Sequence, residues 1–375
     1  MCDTGDFFLH FSVLSDPRID RTKKHNLIDI LFIAICTIIC GGEGFTDMEE
    51  FGEAKESWLR KYLELPYGIP SHDTFRRVFA TLNPEAFGEC FTKWSQALHD
   101  ATNGEVIALD GKTIRHSFDT YSGQPPLHMV SAWATETGLA LGQVRVDKKS
   151  NEITAIPKLL AMLDVSGRII TTDAMGCQRE IAKKIVDKKG DYVFCLKGNH
   201  ESMHDEVKFF FDECKSADYQ DVEHRYFETV EKEHGRIEIR RCWVVEDDAI
   251  KWLEREDQWP TMRSIAAVES ERRIRGKTTV ETRYFISSLK GSAEKVARAV
   301  REHWAIENSL HWVLDVTFNE DMSRIRKDNA PENLSILRKI ALNAVKKEQT
   351  CKASVRRRVK RAGWDNSYLE LVLVS

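Results

Sequence analysis

Apolar positions in the first 98 residues recur at helical spacing. Leu27 to Cys40 is almost continuously apolar, interrupted by Asp29, and too short to span a bilayer. It predicts a buried helix stopped by Gly41-Gly42. Thr46-Asp47-Met48-Glu49 reads as a capping box opening a second helix. Asn83-Pro84 marks another start, followed at helical intervals by Phe87, Phe91, Trp94 and Leu98. A polar turn cluster from Asp100 to Gly104 closes this region.

From Glu105 the pattern changes. Val106–Gly111 reads as a buried strand. After a loop through Ser122 to Pro126, His128–Ala134 and Leu139–Val146 read as paired strands turned at Thr137-Gly138. Glu152–Leu163 is helical, Arg168–Thr172 a strand, Gln178–Lys188 a helix and Asp191–Leu196 a strand. This β-β-β-α-β-α-β order is that of a mixed sheet flanked by helices. It matches a ribonuclease-H-like core still missing its last helix. Residues about 200–290 then hold a helix, Met203–Asp212, and several strand-like runs, including Arg263–Arg273 and Thr278–Ser287 about a turn at Arg275-Gly276-Lys277. They read as a β-rich insertion. Ser292 caps a helix through Val296, Val300, Trp304, Glu307, Leu310 and Leu314. Pro331–Lys347 is a further amphipathic helix. The expected fold is α/β, with an α-helical N-terminal domain over 1–98. A ribonuclease-H-like domain over 105–350 follows, its insertion preceding the last catalytic helix, and then a basic tail over 351–375.

Composition changes this picture little. Of 375 residues, 42% are hydrophobic and 30% charged, an ordinary globular profile. A formal net charge of -4 argues against a uniformly basic nucleic-acid binder but leaves local patches open, such as Arg356-Arg357-Arg358 with Lys360-Arg361. Nine scattered cysteines with no Cys-x-x-Cys pair, and no secretory leader pattern, predict reduced thiols in a cytoplasmic protein that does not enter a membrane.

The chemistry concentrates in three acids. Asp110 and Asp173 each follow an apolar strand, at the edge where open α/β sheets place ligands. Either one alone is more often a turn or N-cap residue; two together, with this element order between them, point to a site. Converged carboxylates bind hard cations such as Mg²⁺, and paired ions drive in-line phosphoryl transfer. In the helix after Ser292, His303, Glu307, His311 and Asp315 fall at successive i+4 steps on one face. Glu307 and Asp315 are rival third acids there. Zinc held by His303 and His311 is disfavoured, because no His-Glu-x-x-His motif exists. An aspartyl-phosphate phosphatase is excluded, since Ala108 stands where the nucleophile would be. Lys112 lacks P-loop glycine spacing. Lys197, Asn199 and His200, ending the last core strand, are candidates for phosphate contact. Arg236, in His234-Gly-Arg236, is a candidate on a DNA-facing hairpin.

Four blocks, Asp110-Gly-Lys-Thr-Ile-Arg-His116, Ser150-Asn-Glu-Ile-Thr-Ala-Ile-Pro157, Thr171-Thr-Asp-Ala-Met-Gly-Cys-Gln178 and His303-Trp-x-x-Glu-Asn-x-Leu-His-Trp-x-Leu-Asp315, occur in order. With them the chain resembles the H-repeat-associated transposases of Rhs elements, insertion-sequence enzymes with a DDE triad. The resemblance extends over nearly the whole chain, including Asp16-Pro-Arg18 and Gly68-Ile-Pro-Ser-His-Asp-Thr74. It implies a triad of Asp110, Asp173 and Glu307 holding Mg²⁺ or Mn²⁺, with Asp315, His303, His311 and Asn308 in support. It further implies cleavage and strand transfer of DNA, both element ends and target, by a possible homodimer on paired ends. Lys112, Lys197, Asn199, Arg301 and Arg236 are the candidate DNA contacts. The chain departs from the wider superfamily's Tyr-x-x-Arg-x-x-x-Glu-x-x-x-x-x-x-Lys signature, with Val300, His303 and Leu314 at the Tyr, Arg and Lys positions; Arg301 is a candidate substitute for the arginine. The alternatives are a non-transposing nuclease on the same core and a catalytically silent DNA-binding relic.

Overall fold

In the computed structural model, residues 5–98, 106–121, 123–220, 222–233, 235–253 and 259–374 are described. The expected break at Asp100–Gly104, Glu105, Ser122 of the following loop, and His234 lie outside them. The chain runs α1 (Gly5–Phe11), α2 (Leu27–Ile39), α3 (Phe45–Leu59), α4 (His72–Thr81), α5 (Pro84–Leu98), β1 (Val106–Ile114), β2 (Leu127–Ala134) and β3 (Leu139–Arg145). It continues with α6 (Glu152–Met162), β4 (Ile169–Thr172), α7 (Arg179–Asp187), β5 (Asp191–Leu196) and α8 (Glu201–Ser216). Then come β6 (Arg225–Glu233), β7 (Arg236–Glu246), β8 (Ser264–Ile274), β9 (Lys277–Ser287), α9 (Ala293–His303), α10 (Trp312–Thr317), α11 (Ala330–Lys347), α12 (Val355–Trp364) and α13 (Asn366–Val374). Strand order in the sheet is β3-β2-β1-β4-β5-β9-β8-β7-β6. The mixed sheet with flanking helices is the ribonuclease-H-like arrangement the element order predicts.

The chain forms two compact units, and both the cut after Asp110 and the one before Glu307 fall inside predicted elements. One unit comprises Met1–Asp100, Gly111–Ser150 and Glu307–Ser375. Its axis is α11, in which every residue from Glu332 to Val345 is buried. Several of its buried polar side chains are paired, as buried polar groups generally are. Asn343 Nδ2 donates to the Ala140 carbonyl (2.8 Å) and its Oδ1 accepts from the Ala140 amide (2.9 Å), tying β3 to α11. Asn333 Nδ2 donates to the carbonyls of Phe79 and Leu82. Helix α2 is buried from Asp29 to Ile39, and Gly41 ends it at φ +93°. Helix α3 opens two residues earlier than the capping reading placed it: Asp47 accepts from the amides of Glu43 and Gly44, so Asp47, not Glu49, is the acid that reaches back. Residues after 350 are not an extended tail. They fold as α12 and α13, burying Val359, Ala362, Tyr368, Leu369 and Val372. Trp58 Nε1 donates to Glu370 (2.8 Å) and Tyr368 OH to the buried Glu348 (2.5 Å).

The other unit comprises Ala101–Asp110 and Asn151–Ile306. Strand β4 lies parallel to both β1 and β5, and helices supply the crossovers that parallel strands require. Parallel strands bring their carboxyl ends to one edge. The insertion is not a detached body: β9 pairs antiparallel with β5, Val193 opposite Ser287, so the sheet continues through β9, β8, β7 and β6. The β8–β9 turn has two residues, Arg275 (φ +48°) and Gly276 (φ +77°), and Lys277 already pairs with Ile274. Two left-handed central residues match the twist of the flanking strands.

Candidate active site

The register of β1 and β4 runs Val106 opposite Ile169 through Leu109 opposite Thr172. Asp110 and Asp173 are the next residue on each strand, so both emerge at the same carboxyl edge. The strands form because Val106–Leu109 and Ile169–Thr172 are buried throughout. Asp173 Oδ1 accepts from the amides of Met175 (3.0 Å) and Gly176 (3.2 Å). The turn role is therefore carried by one oxygen of the side chain. Burial raises the Asp173 pKa and nearby Glu152 adds to this, against the two amides and Lys197.

The end of β5 staples this turn. Asn199 Nδ2 donates to the Ala174 carbonyl (2.7 Å), and His200 Nε2 lies 2.7 Å from the Cys177 carbonyl. Asn199, expected at a phosphate, instead holds the Asp173 loop. Lys197 is exposed on the same edge. His303 Nδ1 lies 3.0 Å from Thr171 Oγ1, two residues before Asp173. Burial, with Arg283 and Lys197 adding, pushes His303 down to about 4, so it is neutral at pH 7. Arg301 is half exposed and its Nη2 is 3.4 Å from Glu231. Arg236 Nε lies 3.0 Å from Glu238.

The long helix predicted after Ser292 is broken. Helix α9 ends at His303, and a π-helical turn spans Glu307–His311 before α10. Isolated π turns recur at functional sites. The broken helix sends each member of the polar stripe to a different partner. His303 meets Thr171, His311 Nδ1 lies 3.1 Å from Glu307 Oε2, and Asp315 meets Lys112. Burial lowers the His311 pKa, against the pull of Glu307. Glu307 is 64% exposed, and the pair offers a carboxylate and an imidazole of metal-ligand type. Asn308 is exposed in the same turn. Trp304 and Trp312 are about half exposed; Arg283 lies over the Trp304 ring at 4.5 Å.

Lys112 is not free for a phosphate. Its Nζ donates to Asp315 (2.6 Å), Glu320 (2.9 Å) and Asp321 (3.2 Å). Burial opposes its charge, yet Glu320 and Asp315 raise the Lys112 pKa. Glu320 is fully buried; despite that burial, Lys339, Lys112 and Arg338 hold it down to about 2. Asp315 is thereby an ion-pair partner, which removes the main argument for it as rival to Glu307. Sequence reasoning passed over Glu320 and Asp321, whose partner lies some two hundred positions away, a separation no local pattern reports.

The fold defines a class, the ribonuclease-H-like proteins. Residues 101–344 match the family model described as "Transposase DDE domain", and residues 8–95 that described as "DDE_Tnp_1-associated". The chain is 42% identical over 368 residues to the "H repeat-associated putative transposase YhhI" of Escherichia coli (strain K12), covering 97% of this chain and 96% of that one. It is 42% identical over 369 residues to the "Putative transposase YncI" of Escherichia coli O157:H7, covering 98% and 94%. Among solved structures, a piggyBac transposase synaptic complex with hairpin DNA aligns at 13% identity and TM-score 0.48, over 99% of this chain and 80% of that one. The chain belongs to the DDE transposases, in the H-repeat-associated group.

Proposed function

We propose that this protein cuts DNA at the ends of an insertion sequence and joins those ends to a target, using Mg²⁺ or Mn²⁺ held by Asp110, Asp173 and Glu307. The observation that carries the reading is the shared carboxyl edge of β1 and β4, where paired strands deliver two aspartates side by side. The donor set suits hard cations, which take carboxylate oxygens. Asp173 is fixed by two amides through Oδ1, leaving Oδ2 for a ligand. His311 steadies the Glu307 carboxylate. Such ions, when bound, lower the pKa of an attacking hydroxyl and neutralise charge on the leaving oxygen. The chain's own contribution is to fix the carboxylates in place, Asp173 through its two amides and Glu307 beside His311, and to leave Lys197 exposed toward a phosphate. In this reading residues 1–98 contribute to DNA binding, residues 105–350 carry the chemistry, and a homodimer pairs two DNA ends in the cytoplasm, on the nucleoid. Among the described residues no helix is long and apolar enough to cross a membrane.

The test is incubation with the element's flanking repeats and Mg²⁺, mapping cleaved ends and joining to a supercoiled target. Asp110→Asn should abolish cleavage and leave end binding largely intact. Undiminished cleavage by that variant overturns the assignment. Cleavage without joining supports a non-transposing nuclease. Binding with no divalent-ion dependence supports a silent relic, and one relative, 44% identical over 69 residues, is described as an inactive transposase.

A further inference from the structure

Lys346, near the end of α11, is half-buried, and its ammonium sits 4.0 Å from the centre of the Trp133 ring. Its Nζ donates to the Ser309 carbonyl (3.1 Å). Ser309 is the middle residue of the π-helical turn that begins with Glu307. The seat for the ammonium is built from three parts of one unit. Trp133 is 1% exposed, placed by a register irregularity between Ala132 and Trp133 in the β2–β3 pairing. Gly138, at φ +68°, turns the hairpin beside it, and a Cβ there would come 3.4 Å from Nζ.

This arrangement runs against what packing alone would choose. A buried charge is costly to desolvate, and an apolar side chain of similar volume is usually neutral or stabilising in its place. Burial, with Arg358 of α12 adding repulsion, lowers the Lys346 pKa to about 7. Its direct partners are a carbonyl and a ring face, and the carbonyl belongs to the turn that presents Glu307.

We propose that Lys346 is a positioning residue for Glu307: seated on Trp133, it grips the Ser309 carbonyl and fixes the π-helical turn so that the carboxylate is held ready for the metal ion. The inference rests on the metal-binding reading of Glu307 given above. Residues behind a metal ligand, when lost, commonly weaken metal affinity or activity by about 10–100-fold.

The test uses the full chain as wild type, Lys346→Met, Lys346→Arg, Glu307→Gln and the Met/Gln double variant. Mn²⁺ binding is read without DNA, from the electron paramagnetic resonance of free Mn²⁺, beside thermal unfolding. Lys346→Met should unfold at the wild-type temperature or above, yet bind Mn²⁺ about 10-fold more weakly. Lys346→Arg should recover part of that loss, and the double variant should bind no more weakly than Glu307→Gln alone. Wild-type Mn²⁺ affinity in Lys346→Met overturns the proposal. So does a Lys346→Met protein that loses stability and binding together, since that is a purely structural role. Failure of the wild type to bind Mn²⁺ at all overturns the metal reading itself and is distinguished by that sample alone.

Discussion

Replacing Lys112 by methionine keeps the unbranched stem and deletes the charge around which three carboxylates are gathered. The Asp315, Glu320 and Asp321 oxygens lie 2.6, 2.9 and 3.2 Å from Nζ, with side chains 30%, 1% and 17% exposed. An ion pair about 4 Å between charge centres is worth about 4 kcal/mol at an effective dielectric constant of about 20. That figure applies to Glu320; the contributions of Asp315 and Asp321 are smaller because water screens them. Removing one partner of a buried pair commonly costs about 3–5 kcal/mol. Glu320 keeps Lys339 and Arg338 nearby, which places the expected loss near the lower end, about 3 kcal/mol at pH 7. The sign of the pH dependence follows from linkage. In wild type the Glu320 pKa is depressed, so its contribution is present above the ordinary glutamate range and is lost as pH falls toward 2. In Lys112→Met the crowded carboxylates repel and take up protons more readily than in the unfolded chain. Destabilisation should therefore shrink between pH 7 and pH 5. Urea unfolding of wild type, Lys112→Met, Glu320→Gln and the double variant at both pH values measures this. The double variant should be less destabilised than the sum of the singles. A loss under about 1 kcal/mol at pH 7, the size of a surface pair, would refute the reasoning. So would a loss that grows on acidification.

His303 should make stability fall on mild acidification. Its folded pKa is lowered from 6.5 to about 4, so the unfolded chain takes up a proton first as pH drops through that window. The contribution is complete above 6.5, and up to about 3 kcal/mol is lost by pH 4. Thermal midpoints of His303→Gln between pH 7 and pH 4 should show a flatter slope than wild type; parallel slopes would count against it. Gly176→Ala should damage the Asp173 turn, because an added Cβ meets Thr172 Cβ at 2.6 Å and Oγ1 at 2.7 Å. Overpacking of this kind costs about 1–3 kcal/mol. Calorimetry should show weakened divalent-ion binding as well, and unchanged binding would separate the turn from the site.

Strands β4 and β5 were legible because each is a short buried apolar run stopped by a polar residue, which is how central parallel strands read; β1 was legible in its buried half, Val106–Leu109, although the strand runs on through Asp110 to Ile114. The two aspartates were legible for the same reason, as the polar residues that end those buried apolar runs. The break after His303 was not. Ala305-Ile306-Glu307-Asn308-Ser309 contains nothing that forbids a regular helix, so the π turn depends on tertiary contacts such as Lys346 with Ser309. The fate of Lys112 was equally hidden, since it is decided by acids after α10. The last 25 residues were misread for another reason: Arg356-Arg357-Arg358 and Lys360-Arg361 drew attention from Val355, Val359 and Ala362, which follow a helical spacing and mark a packed face.

The two oxygens of Asp173 have separate employments. One belongs to the backbone of its own turn, and the other is left for chemistry. An asparagine there would retain an oxygen that accepts from both amides while losing the negative charge. Position 173 is thus a natural place to silence this protein without unfolding it. On the metal-binding reading proposed above, a single base change in the gene, aspartate codon to asparagine codon, would leave a folded, inert copy.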